Sequence, residues 1–425
     1  VQVRFGFVPY NTNVNVGYLL PTAYFNDRWT YQSRRPQTRQ EDQWVLMSGY
    51  PRSTYRAEQR TNVPYFYCNQ AAANQLYTRN ETTSGNTRIV IEEIYTTNQN
   101  AWTSANGGTC SGQKETKETR YQRQTVTLFS HWIYEPVEHN VSGLKNGSAW
   151  KADRNLRLPL GFEGADRTIS WDGCIEERRT ITGTNFNPIP KQQAIDLDIN
   201  RVPDSSDSRW GPLLRGAIYT RYDNNGNFTR DQVLATNDRG GYESYSCPTE
   251  SRLLQRWNDP GAFSTYVNGL QPNGNTYHDI GLLWGARLMS PNGIFAADNA
   301  YTPQGGEIER HLIFMTDGDT VTSNFGYSAY GVPWYDRRNV ANPGNPGAGF
   351  NNEVNARFSA LCREVRNLNI TLWVISFGSG SNSATETRLE ECASQGRYFT
   401  ARNSAALQQT FRSIADQISA LRLIK

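Results

Sequence analysis

Lysine, methionine and histidine are scarce in this chain of 425 residues: six of the 43 basic residues are lysine, beside 3 methionines and 4 histidines. The arginines that make up the rest are scattered singly through polar stretches and the net charge is only +3. That excludes the concentrated basic stripe of a nucleic-acid-binding protein. None of His131, His139, His278 and His311 stands at the i, i+4 spacing with a glutamate that a helical zinc hydrolase needs. No G-x-x-x-x-G-K-[ST] occurs, which excludes a P-loop ATPase of the kind that powers a pilus. No C-x-x-C pair occurs, against zinc ribbons and thioredoxin-type motifs. The longest apolar runs fall far short of the ~18 residues of a membrane span. A three-residue glycine period, a sustained heptad and a fixed-period repeat are all missing, so collagen, coiled coil and solenoid are set aside. No signal peptide is visible, and the opening at Val1 reads as the inside of a longer protein.

Aromatics are plentiful: 11 Trp, 23 Tyr and 17 Phe exclude a disordered chain. The length suits two or three domains with a substantial core. The cysteines, Cys68, Cys110, Cys174, Cys247, Cys362 and Cys392, are even in number and compatible with an oxidising compartment, with buried reduced thiols as the alternative. Pairing 362 with 392 would join the helix before the last apolar strand to the one after it. For the remainder, Cys68–Cys110 and Cys174–Cys247 are the proposed pairs.

Three compositional regions follow one another. VQVRFGFVPY alternates with period two and reads as a strand that begins inside a fold. Residues 18–262 are rich in Asn, Thr, Tyr, Gly and Arg. They carry short alternating runs such as RIVIEEIYT (88–96) and QTVTLFSHWIY (124–134), separated by turn signals such as Asn106-Gly107-Gly108. Residues 263–425 alternate helices with apolar strands. TYHDIGLLWGARLM (276–289) is helical; HLIFM (311–315) and ITLWVISFG (370–378) are strands; Val354, Phe358, Leu361, Val365 and Leu368 mark a helix, as do Leu407, Phe411, Ile414, Ile418 and Leu421. Such alternation predicts a parallel sheet with helices on both faces.

Ligands of an open parallel sheet gather at the carboxyl ends of its strands. Asp317 emerges there, directly after HLIFM, with Asp319 two residues on. Thr276 opens the preceding helix. These are hard oxygen ligands of the type Mg²⁺ or Mn²⁺ prefers. Thr276 with Asp279 is equally a helix N-cap pattern, and Asp317-Gly318 equally a plain turn.

GNTYHDIGLLWGARLMSP, HLIFMTDGDT and their spacing resemble a von Willebrand factor A domain. The wider set of blocks is similar to TadG-like proteins of Flp (tight adherence) pilus assembly. That set includes VRFGFVPYNTNVNVG, WDGCIEER (171–178), AIDLDINRVPDSSDSRWGP (194–212) and FRSIADQISALRL. The resemblance implies a von Willebrand A-type, Rossmann-like α/β sheet: its strand at 1–17, a large β-rich insertion at 18–262, and its remainder at 263–425. It implies a metal-ion-dependent adhesion site in which Thr276 and Asp317 hold Mg²⁺ or Mn²⁺, with Asp319 as a third candidate. The Asp-x-Ser-x-Ser loop of that site and the family's membrane anchor are not in this sequence. Asp204-Ser205-Ser206-Asp207-Ser208 matches the pattern literally, yet no apolar strand delivers it to a sheet edge, and it reads as a solvated loop. The missing first strand would lie between the strand at Val1 and the strand ending at Asp317. Open inner edges call for a filler, either an N-terminal fragment or a strand donated by a partner.

Cys174 beside Glu176 and Glu177 has no placed histidine and is not read as a nucleophile. Glu176, Glu177, Arg178 and Arg179 read as a surface ion-pair cluster. The expectation is a non-catalytic binding and assembly protein of a Flp/Tad-type pilus or surface adhesion system. It would be extracytoplasmic, at the periplasm or cell surface, with a protein partner and no nucleic acid. The alternative is a hydrolytic enzyme with its active site in the insertion.

Overall fold

The computed structural model of the chain describes residues 3–62, 64–65, 76–237, 241–242, 244–302 and 304–421. Its main strands are β1 (Phe5–Phe7), β2 (Arg28–Leu46), β3 (Arg52–Thr61), β4 (Leu76–Ser84), β5 (Thr87–Thr103), β6 (Thr109–Asn140), β7 (Val233–Ala235), β8 (Arg252–Gln255), β9 (His311–Gly318), β10 (Thr371–Gly380) and β11 (Tyr398–Ala401). The main helices are α1 (Pro260–Asn268), α2 (His278–Met289), α3 (Asn351–Asn367), α4 (Ser383–Cys392) and α5 (Ser404–Leu421). The chain clusters into two compact units, one of residues 37–130 and one of residues 1–36 with 131–425.

The expected fold class, a von Willebrand A-type or Rossmann-like α/β sheet with helices on both faces, is overturned. The parallel sheet has three strands, in the order β9-β10-β11, and the larger sheet is antiparallel with six. The protein is β-rich with a small parallel sheet. The physical reason lies in strand composition. A parallel strand must be apolar on both faces to be covered on both, and few segments of this chain qualify. The long strands of the larger sheet are instead rich in Thr, Glu, Gln and Arg and pair antiparallel.

In the antiparallel sheet, β6 is the hub: β5 and then β4 lie to one side, while β2, β3 and the short β7 also pair with it. The β4–β5 hairpin closes over the two-residue loop Gly85-Asn86, where Gly85 adopts φ +58°. Cross-strand charge pairs stand where an apolar face would otherwise be: Lys114–Glu93 at 2.8 Å, Arg88–Glu81 at 2.7 Å and Arg123–Asp42 at 3.1 Å. Exposed pairs of this kind are each worth about 0–1 kcal/mol. They set register more than they add stability.

In the larger unit, α2 and α3 cover one face of the parallel sheet. Phe314 of β9 packs on His278 of α2 and on Phe358 of α3. The opposite face is covered at its centre by α5, whose Ile414 joins Trp373 and Ile375 in a buried cluster. β9 is left half-covered. Leu312, Phe314 and Thr316 are buried, whereas Ile313 and Met315, in register with Trp373 and Ile375, remain 38% and 42% exposed. β1 pairs antiparallel with β8, in a separate two-stranded ladder.

Cys174 is bonded to Cys247 and Cys362 to Cys392, the latter spanning 30 residues. A loop of that length is worth about 3–4 kcal/mol on the chain-entropy model. Cys110 is fully buried, and Cys68 lies outside the described residues. Disulfides are the form cysteines keep in oxidising compartments. No helix among the described residues is long and apolar enough to cross a membrane.

The expected surface cluster at 176–179 is also corrected: Glu176, Glu177 and Arg178 are buried, and only Arg179 reaches the surface, where it pairs with Asp207. Glu177 Oε1 accepts from Trp284 Nε1 at 2.7 Å and Arg287 Nη1 at 2.6 Å, and Oε2 accepts from Trp210 Nε1 at 3.1 Å. Burial opposes the charge on Glu177, but Arg287 outweighs it and holds the carboxyl below its usual range. Nearby, Arg357 is ion-paired with Asp196 and with Asp279, all three fully buried. Their apolar frame hid these pairs from the sequence pattern, because IEER looks like any solvated charge run.

Removing one member of such a pair strands the other in a dry core, at a cost of about 3–5 kcal/mol. Glu177→Ala is therefore expected to lower the urea midpoint by an amount equivalent to about 3–5 kcal/mol, while Arg179→Ala shifts it by less than about 1 kcal/mol.

Candidate functional site

The carboxyl end of β9 carries the residues that the sequence singles out. Asp317 arrives there exposed. Asp319 is already engaged: its Oδ1 accepts from the backbone N of Asn382 at 2.9 Å and its Oδ2 from Asn382 Nδ2 at 2.6 Å. Asn382 in turn caps α4 by accepting from Thr385 N. Asp319 thus anchors a helix start to the strand end. Burial works against its charge, but the Asn382 bonds outweigh this and hold its carboxyl below the usual range. Thr276 is half-buried, and its backbone is locked to Val321 in both directions, at 3.0 and 3.1 Å. It is not the cap of α2, which starts at His278 behind Tyr277. Asp279 lies in the buried core on Arg357.

Two groups at this rim were not legible in the sequence. His278 sits between two hydroxyls, Nε2 at 3.0 Å from Thr316 Oγ1 and Nδ1 at 2.9 Å from Thr320 Oγ1. Each hydroxyl also donates onward, Thr320 to Asn355 Oδ1 at 2.6 Å and Thr316 to the Gly318 carbonyl at 3.3 Å. Burial lowers the pKa of His278 to about 4, so the imidazole is neutral. Tyr10, just beyond β1, donates its hydroxyl to the Met315 carbonyl at 3.2 Å and stacks on Phe314 at 5.5 Å. Gly281 permits this approach, since a Cβ there would stand 2.4 Å from the Tyr10 ring.

Among the described residues no three His, Cys, Asp or Glu side chains converge as a metal-holding group. With Asp319 spent on Asn382, Thr276 and Asp317 are two hard-oxygen donors where Mg²⁺ asks for an octahedral set. These residues do not fit a metal centre by themselves, and no chemistry at this rim is assigned to a metal. Asp204–Ser208 forms a tight turn in which Ser208 bonds back to Asp204 and Ser205, a local loop arrangement.

A second cleft, of about 340 Å³, is lined in part by Glu176, Asp336, Arg338 and Trp29. Burial pushes the Glu176 carboxyl up to about 7, against the pull of Arg338. Its Oε1 accepts from Tyr327 at 2.7 Å, and its Oε2 from Trp29 Nε1 and Arg338 Nη1, both at 2.9 Å. Asp336 is likewise raised by burial and is held by Gln32 and the Val332 amide. Partners drawn from residues 29, 327 and 338 leave no local motif, which is why the sequence does not disclose this group. The carboxylate ties distant segments together, which is a structural use of a perturbed acid.

A carboxyl raised in the folded state binds its proton more tightly there than in the unfolded chain. Its stabilisation is fully present below about pH 4.5 and is lost as pH rises through about 7. Denaturant melts at pH 5 and pH 8 are expected to show native stability falling with pH, and Glu176→Gln is expected to flatten that fall by up to about 3 kcal/mol. A slope unchanged by the substitution would contradict the assignment.

No protein-family model and no curated protein matches the chain. A solved structure is similar to part of it: "proximal thread matrix protein 1 (PTMP1) from the mussel byssus with zinc occupied MIDAS motif". The likeness has 15% identity and a TM-score of 0.22, and covers 41% of this chain and 36% of that one. At that level it carries no argument about fold or function.

Proposed function

We propose that this chain is a non-catalytic binding and assembly protein working outside the cytoplasm, at the periplasm or cell surface, in a TadG-like Flp/Tad-type pilus or a surface adhesion system. One observation carries the reading: the edge of β9 that no strand pairs among the described residues, where the Tyr10 hydroxyl meets the Met315 carbonyl. Among the described residues β9 pairs only with β10, and β1 only with β8. Ile313 and Met315 stand exposed on β9, and Val3 and Phe5 are 43% and 53% exposed at β1. An unpaired apolar edge is a template for an added strand, and strand addition is a recurrent mode of protein recognition. The protein partner in this reading is a pilus or surface component that contributes an extended segment to β9.

Catalysis is the weaker reading. Glu176 is raised to about 7 at a cleft, and its oxygens are occupied by Tyr327, Trp29 and Arg338. The two disulfides support a place in an oxidising compartment.

The test is the double variant Ile313→Lys, Met315→Glu. Both side chains already meet water, so the purified chain is expected to melt within a few degrees of the parent. In the cells that make the protein, surface pili or attached cells are expected to fall at least tenfold by electron-microscopic count. Normal assembly with a stable double variant would overturn the reading.

A further inference from the structure

The larger unit carries another cleft, of about 540 Å³. That is within the size range, about 300–1,000 Å³, typical of small-molecule sites. Its lining has a distinct chemistry. Thr12, Ser244, Ser246, Asn273 and Asn275 supply neutral hydroxyls and amides, and Asp172 is the one charged side chain that lines it. Lysine and arginine do not line it, and Asp172 opposes an anion there. Few apolar side chains line it either, so an apolar ligand would leave its polar walls unpaired.

The walls are held in place before any ligand arrives. Asn11 Nδ2 donates to Ser246 Oγ at 2.7 Å and to Asn273 Oδ1 at 2.8 Å, and Ser246 Oγ donates to the same Asn273 oxygen at 2.5 Å. Thr12 Oγ1 accepts from the Asn275 amide at 3.0 Å. The Cys174–Cys247 bridge ties one wall, at Cys247, to the buried block beside Asp172. Tyr245 donates to Asp172 Oδ2 at 3.2 Å, which fixes its ring at the cleft. Asp172 and Asn273 are exposed. Asp172 Oδ1 and Asn273 Nδ2 keep an acceptor and a donor with no partner among the described residues. Arg215 lies 6.0 Å from the Tyr245 ring, which disfavours a cationic ligand on that face.

From this lining we propose that the cleft binds a neutral saccharide. Each sugar hydroxyl both donates and accepts, as the amide and hydroxyl walls require. A carboxylate acceptor gives the stronger, charge-assisted bonds, and the C–H face of a pyranose suits the tyrosine ring. Preorganisation lowers the ordering cost of binding.

The experiment presents the full chain to an array of immobilised neutral, sialylated and sulfated oligosaccharides, and titrates the best neutral binder by calorimetry. Neutral glycans are expected to bind and acidic ones not. Tyr245→Ala and Asp172→Asn are each expected to weaken binding about tenfold or more. Asp172 is exposed, so Asp172→Asn is expected to keep the parental melting temperature and to remain a valid test if Tyr245→Ala unfolds. Absence of binding to every neutral glycan, binding confined to acidic glycans, or unchanged affinity in Asp172→Asn overturns the proposal. None of these outcomes bears on the β9 edge, so the two readings fail separately.

Discussion

The ion pair between Glu177 and Arg287 is the constraint around which the larger unit is arranged. Both side chains are essentially without solvent contact. A buried charge must be paired and hydrogen-bonded or it destabilises the fold outright. Glu177 therefore dictates where Trp210, Trp284 and Arg287 must lie, and the Arg287 guanidinium stands 4.6 Å from the Trp284 ring. The same helix, α2, carries Asp279 to Arg357 on α3 and His278 to the end of β9. One helix thus couples an ionic core to the sheet rim. Polar pairs of this type select a particular arrangement more than they add net stability.

That coupling explains the character of the rim. The groups there are already used by the fold: Asp319 holds Asn382, and His278 holds two threonines. What stays exposed is the pair Ile313 and Met315 on β9, and Asp317 at its end. The polar cleft near Tyr245 follows the same logic, with disulfide and amide contacts holding its walls.

The antiparallel sheet is stabilised differently. Its strands meet water widely, and their pairing relies on continuous backbone ladders and on alternating charges such as Lys114 against Glu93. A 32-residue strand such as β6 can persist because its partners change along its length: β3 and β5 toward one end, β7 toward the other.

By itself the sequence determined the local elements whose burial is one-sided or complete. The helices at 278–289, 351–367 and 404–421 and the strands at 311–318 and 371–380 follow from apolar spacing, because each must hide a stripe or a face. The turn at Asn106–Gly108 followed from residues that tolerate positive φ. Tertiary structure alone decided how those pieces combine. The three-stranded limit of the parallel sheet depends on which strand edges find partners, and no periodicity encodes that. The ionic core depends on Glu177, Asp196, Asp279, Arg287 and Arg357, which are far apart in the chain and look solvated wherever they occur. Charge is legible in a sequence, but whether a charge meets water or a partner is settled only when distant segments pack.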